Sequence, residues 1–351
     1  MTPLDTVVKI LDLARWAPSG DNTQVWEFEI LAADHVAVHC HDTRDHCVYD
    51  LHGHPSQISY GALLETLSIA ASGFGLRADV SREGSELAPV FQVRLRADPL
   101  VQASALIPSI KRRTVQRRPL ERRPLSAEQK RQLEAAVGEG YTIQWIEGAQ
   151  RRRAAMLMYR NARLRLTMPE AFEVHRSIIE WDARHSLDKV PDQALGVDAM
   201  TTKLMRWAMH SWPRMKTVNT LMGTWAPRLQ MDLIPGLACA AHYVIKARQA
   251  PQGIDDYVAA GRAVQRFWLT LTALGLLMQP EMTPLIFTSY LRQGIRFSVL
   301  PQMERAARRL EGQMASLIET DAAAPVYMGR LGYGPQPRAR SLRKSLGELL
   351  R

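Results

Sequence analysis

A chain of 351 residues with 46% hydrophobic and 23% charged residues is long enough for two domains or one large duplicated unit, and this composition excludes extended disorder. No apolar run reaches the roughly 20 residues that cross a bilayer, and Met1-Thr2-Pro3-Leu4-Asp5 lacks a signal-peptide pattern, so a cytoplasmic chain without membrane contact is expected. The formal net charge of +10 raises a nucleic-acid surface, but no helix-turn-helix, zinc-finger or aromatic RNA-binding pattern accompanies it, and a phosphate-bearing small ligand fits better.

In chain order, Leu4 to Trp16 reads as an apolar helix that breaks at Pro18-Ser19-Gly20-Asp21-Asn22. Such a cluster is a helix stop, and it also presents backbone N–H groups and short side chains to a flat polar ligand. The strand-like run Val25 to Cys40 follows, then a set of ligand-type residues: His35, His39, Cys40, His41, His46, Cys47, His52 and His54. His39 and His41 would share one face of a strand, but no Cys-x-x-Cys or His-Glu-x-x-His spacing supports a metal, and these read as polar-loop histidines. Cys40, Cys47 and Cys239 are odd in number and read as reduced thiols. A helical pattern opens at Gly61-Ala62-Leu63-Leu64-Glu65, ends at Gly73-Phe74-Gly75-Leu76, and precedes a strand starting Pro89-Val90-Phe91.

An arginine-rich approach, Arg112-Arg113-Thr114-Val115-Gln116-Arg117-Arg118-Pro119, leads to a second helix, Ala127 to Val137, and a strand over Thr142 to Ile146. From about Tyr159 to Met231 lies a segment rich in Met, Trp and Arg. It reads as a helical subdomain with its own apolar face, as a lid over a binding site, or as both. Within it, Glu173, His175 and Arg176 fit helical salt bridges and core packing, or a position over a ligand. Leu237 to Ile245 is strand-like, Gly261-Arg262-Ala263-Val264-Gln265 opens a helix ending at Leu274-Gly275-Leu276, and Pro325-Val326-Tyr327 starts a last strand.

The two glycine-opened helices have the same length from first to last glycine, and each is flanked by strands in the same order, so the chain reads as two diverged copies of one α+β unit. The losses are complementary. Only the first copy keeps the Pro-Ser-Gly turn, replaced in the second by Gly138-Glu139-Gly140, and only the second has the arginine approach. No Rossmann or P-loop glycine fingerprint is present.

Residues 15–26, Arg112-Arg113-Thr114, Gln279-Pro280-Glu281-Met282 and the ending from Gly329-Arg330-Leu331-Gly332-Tyr333-Gly334 to Arg343 resemble the nitroreductase-like FMN flavoprotein superfamily. The likeness is greatest to its fused, double-length members associated with ThiF-type proteins or labelled MoeY. This resemblance implies a first half at residues 1–105 and a second at 106–351, paired as a pseudo-dimer, with the insertion at about 159–231 as a helical lid. It implies an FMN site in which Pro18, Ser19, Gly20 and Asn22 come from one half and Arg112, Arg113 and Thr114 from the other. Arg338 and Arg340 would add guanidinium donors to the phosphate. Gln279, Pro280, Glu281 and Met282 would lie near flavin N5, and Arg117 near the phosphate or N1. The implied activity is hydride transfer from NADH or NADPH through FMN to a small organic acceptor, with no dedicated catalytic side chain and no metal. A ThiF-like protein is an implied partner, the molecule is a monomeric pseudo-dimer or a homodimer, and the alternative is a non-catalytic FMN store or sensor.

Overall fold

The computed structural model describes residues 3–319 and 323–351. Helix α1 (Pro3–Ala14) buries Val7, Ile10, Leu11 and Ala14, the three- and four-residue spacing of an amphipathic helix. The hairpin β1 (Trp26–Ala32) and β2 (His35–Cys40) follows, then α2 (His54–Ser72), β3 (Leu76–Gly84) and β4 (Pro89–Ala97). These four strands form one antiparallel sheet in the order β1-β2-β4-β3. Trp26, Phe28, Val36, Val38, Phe91 and Val93 point from it into a core shared with α1 and α2.

After the short α3 (Ser109–Arg112), the pattern repeats. A capping box at Ser126 and Gln129 starts α4 (Ala127–Val137), and β5 (Tyr141–Ile146) follows. A long excursion then runs through α5 (Gly148–Thr167) and α6 (Pro169–Ile178), and three two-residue strands, β6 (Ile179–Glu180), β7 (His185–Ser186) and β8 (Val190–Pro191). It continues through α7 (Ala199–Ala208), α8 (Trp212–Leu221), α9 (Trp225–Arg228), one π turn at Leu229–Leu233, and α10 (Ile234–Leu237). The chain returns to β9 (Ala241–Ala247), α11 (Ile254–Ala273) and β10 (Leu277–Pro280), leaves again through α12 (Thr283–Gln293) and α13 (Pro301–Ala315), and closes with β11 (Ala324–Gly332). The second sheet has the order β5-β9-β11-β10, again antiparallel. Matching α1, β1, β2, α2, β3, β4 with α4, β5, β9, α11, β10, β11 gives the two sheets one topology. Among the described residues no helix is long and apolar enough to cross a membrane.

Several boundaries differ from the sequence reading: α2 begins at His54 and α11 at Ile254, so Gly61 and Gly261 stand inside their helices and do not open them. The excursion begins at α5, because Gly148–Thr167 is one continuous helix through Tyr159, and it ends at α10 beyond Met231. The helices α12 and α13 form a second excursion that the repeat pattern did not show. Their apolar faces close on α5 around Ile286, Phe287, Tyr290, Met303 and Leu310.

The two units meet through α2 and α11, and the contact is reciprocal. A Cβ on Gly61 would stand 1.9 Å from the Val258 carbonyl oxygen, and one on Gly261 would stand 2.1 Å from the Ile58 carbonyl oxygen. Beside this crossing Gln265 Nε2 donates to Thr66 Oγ1 at 2.8 Å, and Arg262 and Arg266 both reach Glu65. A left-handed glycine follows each helix in the turn to the next strand, Gly75 (φ +67°) and Gly275 (φ +73°). Two arms then cross between the units. Val115 bridges to Met278 at the edge of the second sheet. After β11, the last arm, with β12 (Arg340–Ser341) and α14 (Leu346–Leu349), returns to the first sheet, where Leu350 bridges to Phe28.

Candidate functional site

A cavity of about 690 Å³ opens where the α1 turn, α3, the α2/α11 crossing, β10, the last arm and the long excursion meet. That volume suits a cofactor-sized ligand. Its wall brings together Pro18, Ser19, Gly20, Asn22, Arg113, Thr114, Arg117, Gln279, Pro280, Glu281, Met282 and Arg340, which lie in four separate stretches of sequence.

The Ser19 to Gln24 turn is held in an uncommon shape. Asp21 (φ +50°), Asn22 (φ +68°) and Gln24 (φ +51°) all adopt left-handed backbone without being glycine, a conformation that persists only where the surroundings fix it. Ser19 Oγ accepts from the Gln24 N–H at 2.9 Å, and Gln24 Nε2 donates to the Leu187 carbonyl at 2.8 Å. Gln24 Oε1 accepts from the Lys344 N–H, and Asn22 Nδ2 donates to the Lys189 carbonyl. The turn is therefore clamped from the excursion on one side and the last arm on the other.

Three guanidinium groups gather beside it. Arg113 donates to the Trp16 carbonyl at 2.8 Å and lies over the Trp268 ring, 4.4 Å from its centroid. Arg340 donates to the carbonyls of Lys111 and Arg113, and Arg343 to those of Ala17 and Leu342 and to Asn22 Oδ1. Among the described residues none of the three has a carboxylate partner, and Nε of Arg113 and of Arg340 is buried without an acceptor. Burial, followed by the repulsion of Arg343 and Arg340, pulls the Arg113 guanidinium well below its usual range, and burial, followed by the repulsion of Arg340 and Arg15, brings Arg343 down to about 9. Such a cluster of cations with free donors and only neutral partners has the donors and the uncompensated charge that an anion needs. Arg343, deep in the wall, is a member that spacing alone does not single out.

Two expected members stand outside. Arg112 is the last residue of α3 and is exposed, since one helical step from Arg113 turns its side chain to solvent. Arg338 is exposed in the extended arm, where alternation sends Ala339 inward and Arg338 outward. Neither lines the cavity.

At the β10 end, Glu281 is buried and joined to two cations. Its Oε2 is 2.6 Å from His242 Nδ1 and its Oε1 is 3.1 Å from an Arg330 nitrogen. His242 Nε2 meets the Gly236 carbonyl at 2.9 Å, and Arg330 also donates to the Arg117 carbonyl at 2.8 Å. Burial disfavours the charged imidazole, but the Glu281 carboxylate and the neighbouring Cys239 override it and push His242 up to about 10. Burial likewise opposes charge on Glu281, and the paired cations still hold its carboxyl below the usual range. Neither His242 nor Arg330 was marked by the sequence, because each partner comes from a different strand of one sheet. Gln279 Oε1 is buried without a donor, and Trp268 Nε1 without an acceptor, both on the cavity wall.

The roof is apolar and comes from the excursion. Phe172, Leu195, Met205, Met209, Met215 and Met231 line it, with the buried ion pair of Arg165 and Asp232 at 2.8 Å among them. His175 also faces the cavity, hydrogen-bonded to Tyr49 Oη at 3.0 Å, and burial followed by Arg165 drives it down to about 3, so it is neutral. Glu173 and Arg176 instead pair with each other on the outside. The histidines of the first sheet and its following loop are dispersed. His39 meets Glu29 and His35 meets Gln92, while His52 and His54 stack at 3.9 Å. Among the described residues no group of three or more metal ligands forms, and the three cysteines are free thiols.

No family model and no curated protein matches the chain. Solved structures similar to part of it include a nitroreductase-like family protein from Bacillus cereus (12% identity, TM-score 0.35, 71% of this chain and 95% of that one). Others are the FMN-dependent nitroreductase NfnB from Mycobacterium smegmatis in complex with NADPH (13%, 0.36, 69% and 95%) and a BluB-like flavoprotein from Clostridium difficile 630 (14%, 0.37, 71% and 98%). Similarity at this level does not say what this chain binds; the donor set of its own cavity bears on that.

Proposed function

We propose that the chain is an FMN-dependent oxidoreductase of the nitroreductase type, passing hydride from NADH or NADPH to a small organic acceptor. The observation that carries this reading is the trio Arg113, Arg340 and Arg343 on one cavity wall, two of them buried and Arg340 half-buried, with Nε of Arg113 and Arg340 unpartnered and no carboxylate partner among the described residues. A phosphate dianion would supply the missing countercharge and accept from Arg113 and Arg340 Nε, while the clamped Pro18-Ser19-Gly20 turn and the Trp268 face border the adjoining space. Gln279, Pro280, Glu281 and Met282 would hold the edge of a flat ring, with the unsatisfied Gln279 Oε1 free to accept from it. The buried cations Arg330 and His242 fix Glu281 and leave net positive charge at that end, which favours an electron-rich ligand. When bound, FMN supplies the hydride chemistry, and the protein's share is binding, orientation and exclusion of water.

We further read the molecule as an internal duplication in which residues 1–105 and 106–351 pair as two subunits would, with the 147–240 excursion as a lid over the cavity. The shared sheet topology and the reciprocal Gly61/Gly261 contact support it.

The purified protein should show flavin absorbance, bleach with NADH or NADPH under anaerobic conditions, and recover its colour on adding an acceptor. Flavin that resists both reductants would transfer the protein to the class of non-catalytic FMN stores or sensors. A protein that stays colourless after reconstitution with FMN overturns both.

A further inference from the structure

The outer face of the lid is unlike the rest of the surface. Helix α8 turns Trp212, Met215 and Val218 inward, against Phe172 and the cavity, and leaves Leu221 on the outside. Around it, large apolar side chains stand in solvent: Met200 is 82% exposed, Trp207 50%, Leu221 79%, Met222 57% and Trp225 58%. A group of this kind marks an interaction surface, since single exposed apolar residues are ordinary but clusters are not. Arg214 of α8 lies over the Trp207 ring of α7 at 5.3 Å, joining these two helices on the surface, and Met222 and Trp225 are exposed while also lining the cavity.

The charge on α7–α9 is basic, with Asp182 and the α7 N-cap Asp198 as bordering carboxylates. Between Asp198 and Asp232 the sequence has no acidic residue and has Lys203, Arg206, Arg214, Lys216 and Arg228. Arg206 is engaged with Asp182 and Arg228 covers the Tyr159 ring at 3.8 Å, whereas Lys203, Arg214 and Lys216 lie exposed among the apolar side chains. Tryptophan, methionine and leucine interleaved with lysine and arginine on short helices is the chemistry of an element that lies in a bilayer interface. The apolar groups enter the acyl boundary and the cations meet anionic headgroups. A second copy of the chain suits this face poorly, because a symmetric contact would bring the same cations against themselves.

We propose that α7–α9 dock onto anionic lipid bilayers as a peripheral membrane surface. The mouth of the cavity at Met222 and Trp225 then faces the lipid, which gives an apolar ligand a path to the cavity that avoids water. The docking itself does not depend on the cofactor assignment.

The test is co-sedimentation of the full chain with vesicles of phosphatidylcholine alone and of phosphatidylcholine with phosphatidylglycerol. Binding to the anionic vesicles that weakens as salt rises is expected. Lys203→Glu with Lys216→Glu should weaken it at least about tenfold, and Trp207→Ser with Leu221→Ser should also reduce it. These four residues lie outside the cavity wall, so flavin content should stay unchanged, and slowed amide exchange over 199–228 on vesicles should locate the contact. Equal binding to both vesicle types, or none at low salt, overturns the proposal. So does a stable dimer in solution that Trp207→Ser with Leu221→Ser dissociates, or a surface that retains duplex DNA but not vesicles.

Discussion

Burying Arg113, Arg340 and Arg343 together without a carboxylate costs the free protein stability, and an anion that enters the cavity relieves the cost. One substitution should therefore move two measurements in opposite directions. Arg113→Met is expected to raise the melting temperature of flavin-free protein while weakening FMN retention by about 1.5–3 kcal/mol, roughly 10- to 150-fold in Kd. Lower stability together with unchanged retention would remove Arg113 from the phosphate site. The His242–Glu281 pair makes a second residue-scale prediction. His242 holds its proton to about pH 10 when folded and to about 6.5 when unfolded, so its stabilising contribution is complete below pH 6.5 and is lost as pH rises toward 10. Denaturant unfolding between pH 7 and 10 should show this decline in the natural protein and a flatter profile in His242→Gln, which has no such proton to lose.

At the scale of elements, the fold depends on how closely α2 and α11 approach. Each glycine at the crossing faces the other helix's backbone oxygen at about 2 Å from where a Cβ would stand, at 1.9 and 2.1 Å, so no side-chain shift can relieve an added methyl. Gly61→Ala and Gly261→Ala should each cost at least ~3 kcal/mol in denaturant unfolding. Because both disturb one contact, the double variant should lose much less than the sum. Full additivity would mean that the helices respond independently, contrary to the reciprocal geometry. The helical periods, the paired glycines and the strand starts at Pro89 and Pro325 were all legible in the sequence, since they follow from local period and turn chemistry. The helices α12 and α13 have no counterpart between β3 and β4, so the paired pattern carries no sign of them.

At the scale of the molecule, the last arm ties the two units together. Arg343 reaches Ala17 and Asn22, Lys344 caps Gln24, and Arg351 donates to the Phe28 carbonyl at 2.8 Å and pairs with Glu27 at 2.7 Å. A chain ending at Gln336 should keep both sheets, as read by far-UV circular dichroism, yet fail to retain FMN, because the turn loses its clamp and the cavity loses Arg340 and Arg343. Retention of flavin by the shortened chain would show that the arm is dispensable to the site.

Composition and pattern by themselves determined an α+β chain with two similarly ordered sets of helices and strands, a polar turn at Pro18 to Asn22, an arginine approach and a helical excursion, because each of these is written in local spacing. The family resemblance pointed to twelve residues that line the cavity, from Pro18 to Arg340, but to none of its apolar roof. Which arginines face inward was decided only in three dimensions. Arg112 and Arg113 are adjacent in sequence, and the end of α3 turns one to solvent and the other onto Trp268. Arg343, Arg330 and His242 joined the site for the same reason: a buried charge is defined by what surrounds it, and those surroundings come from strands, arms and helices far apart in the chain.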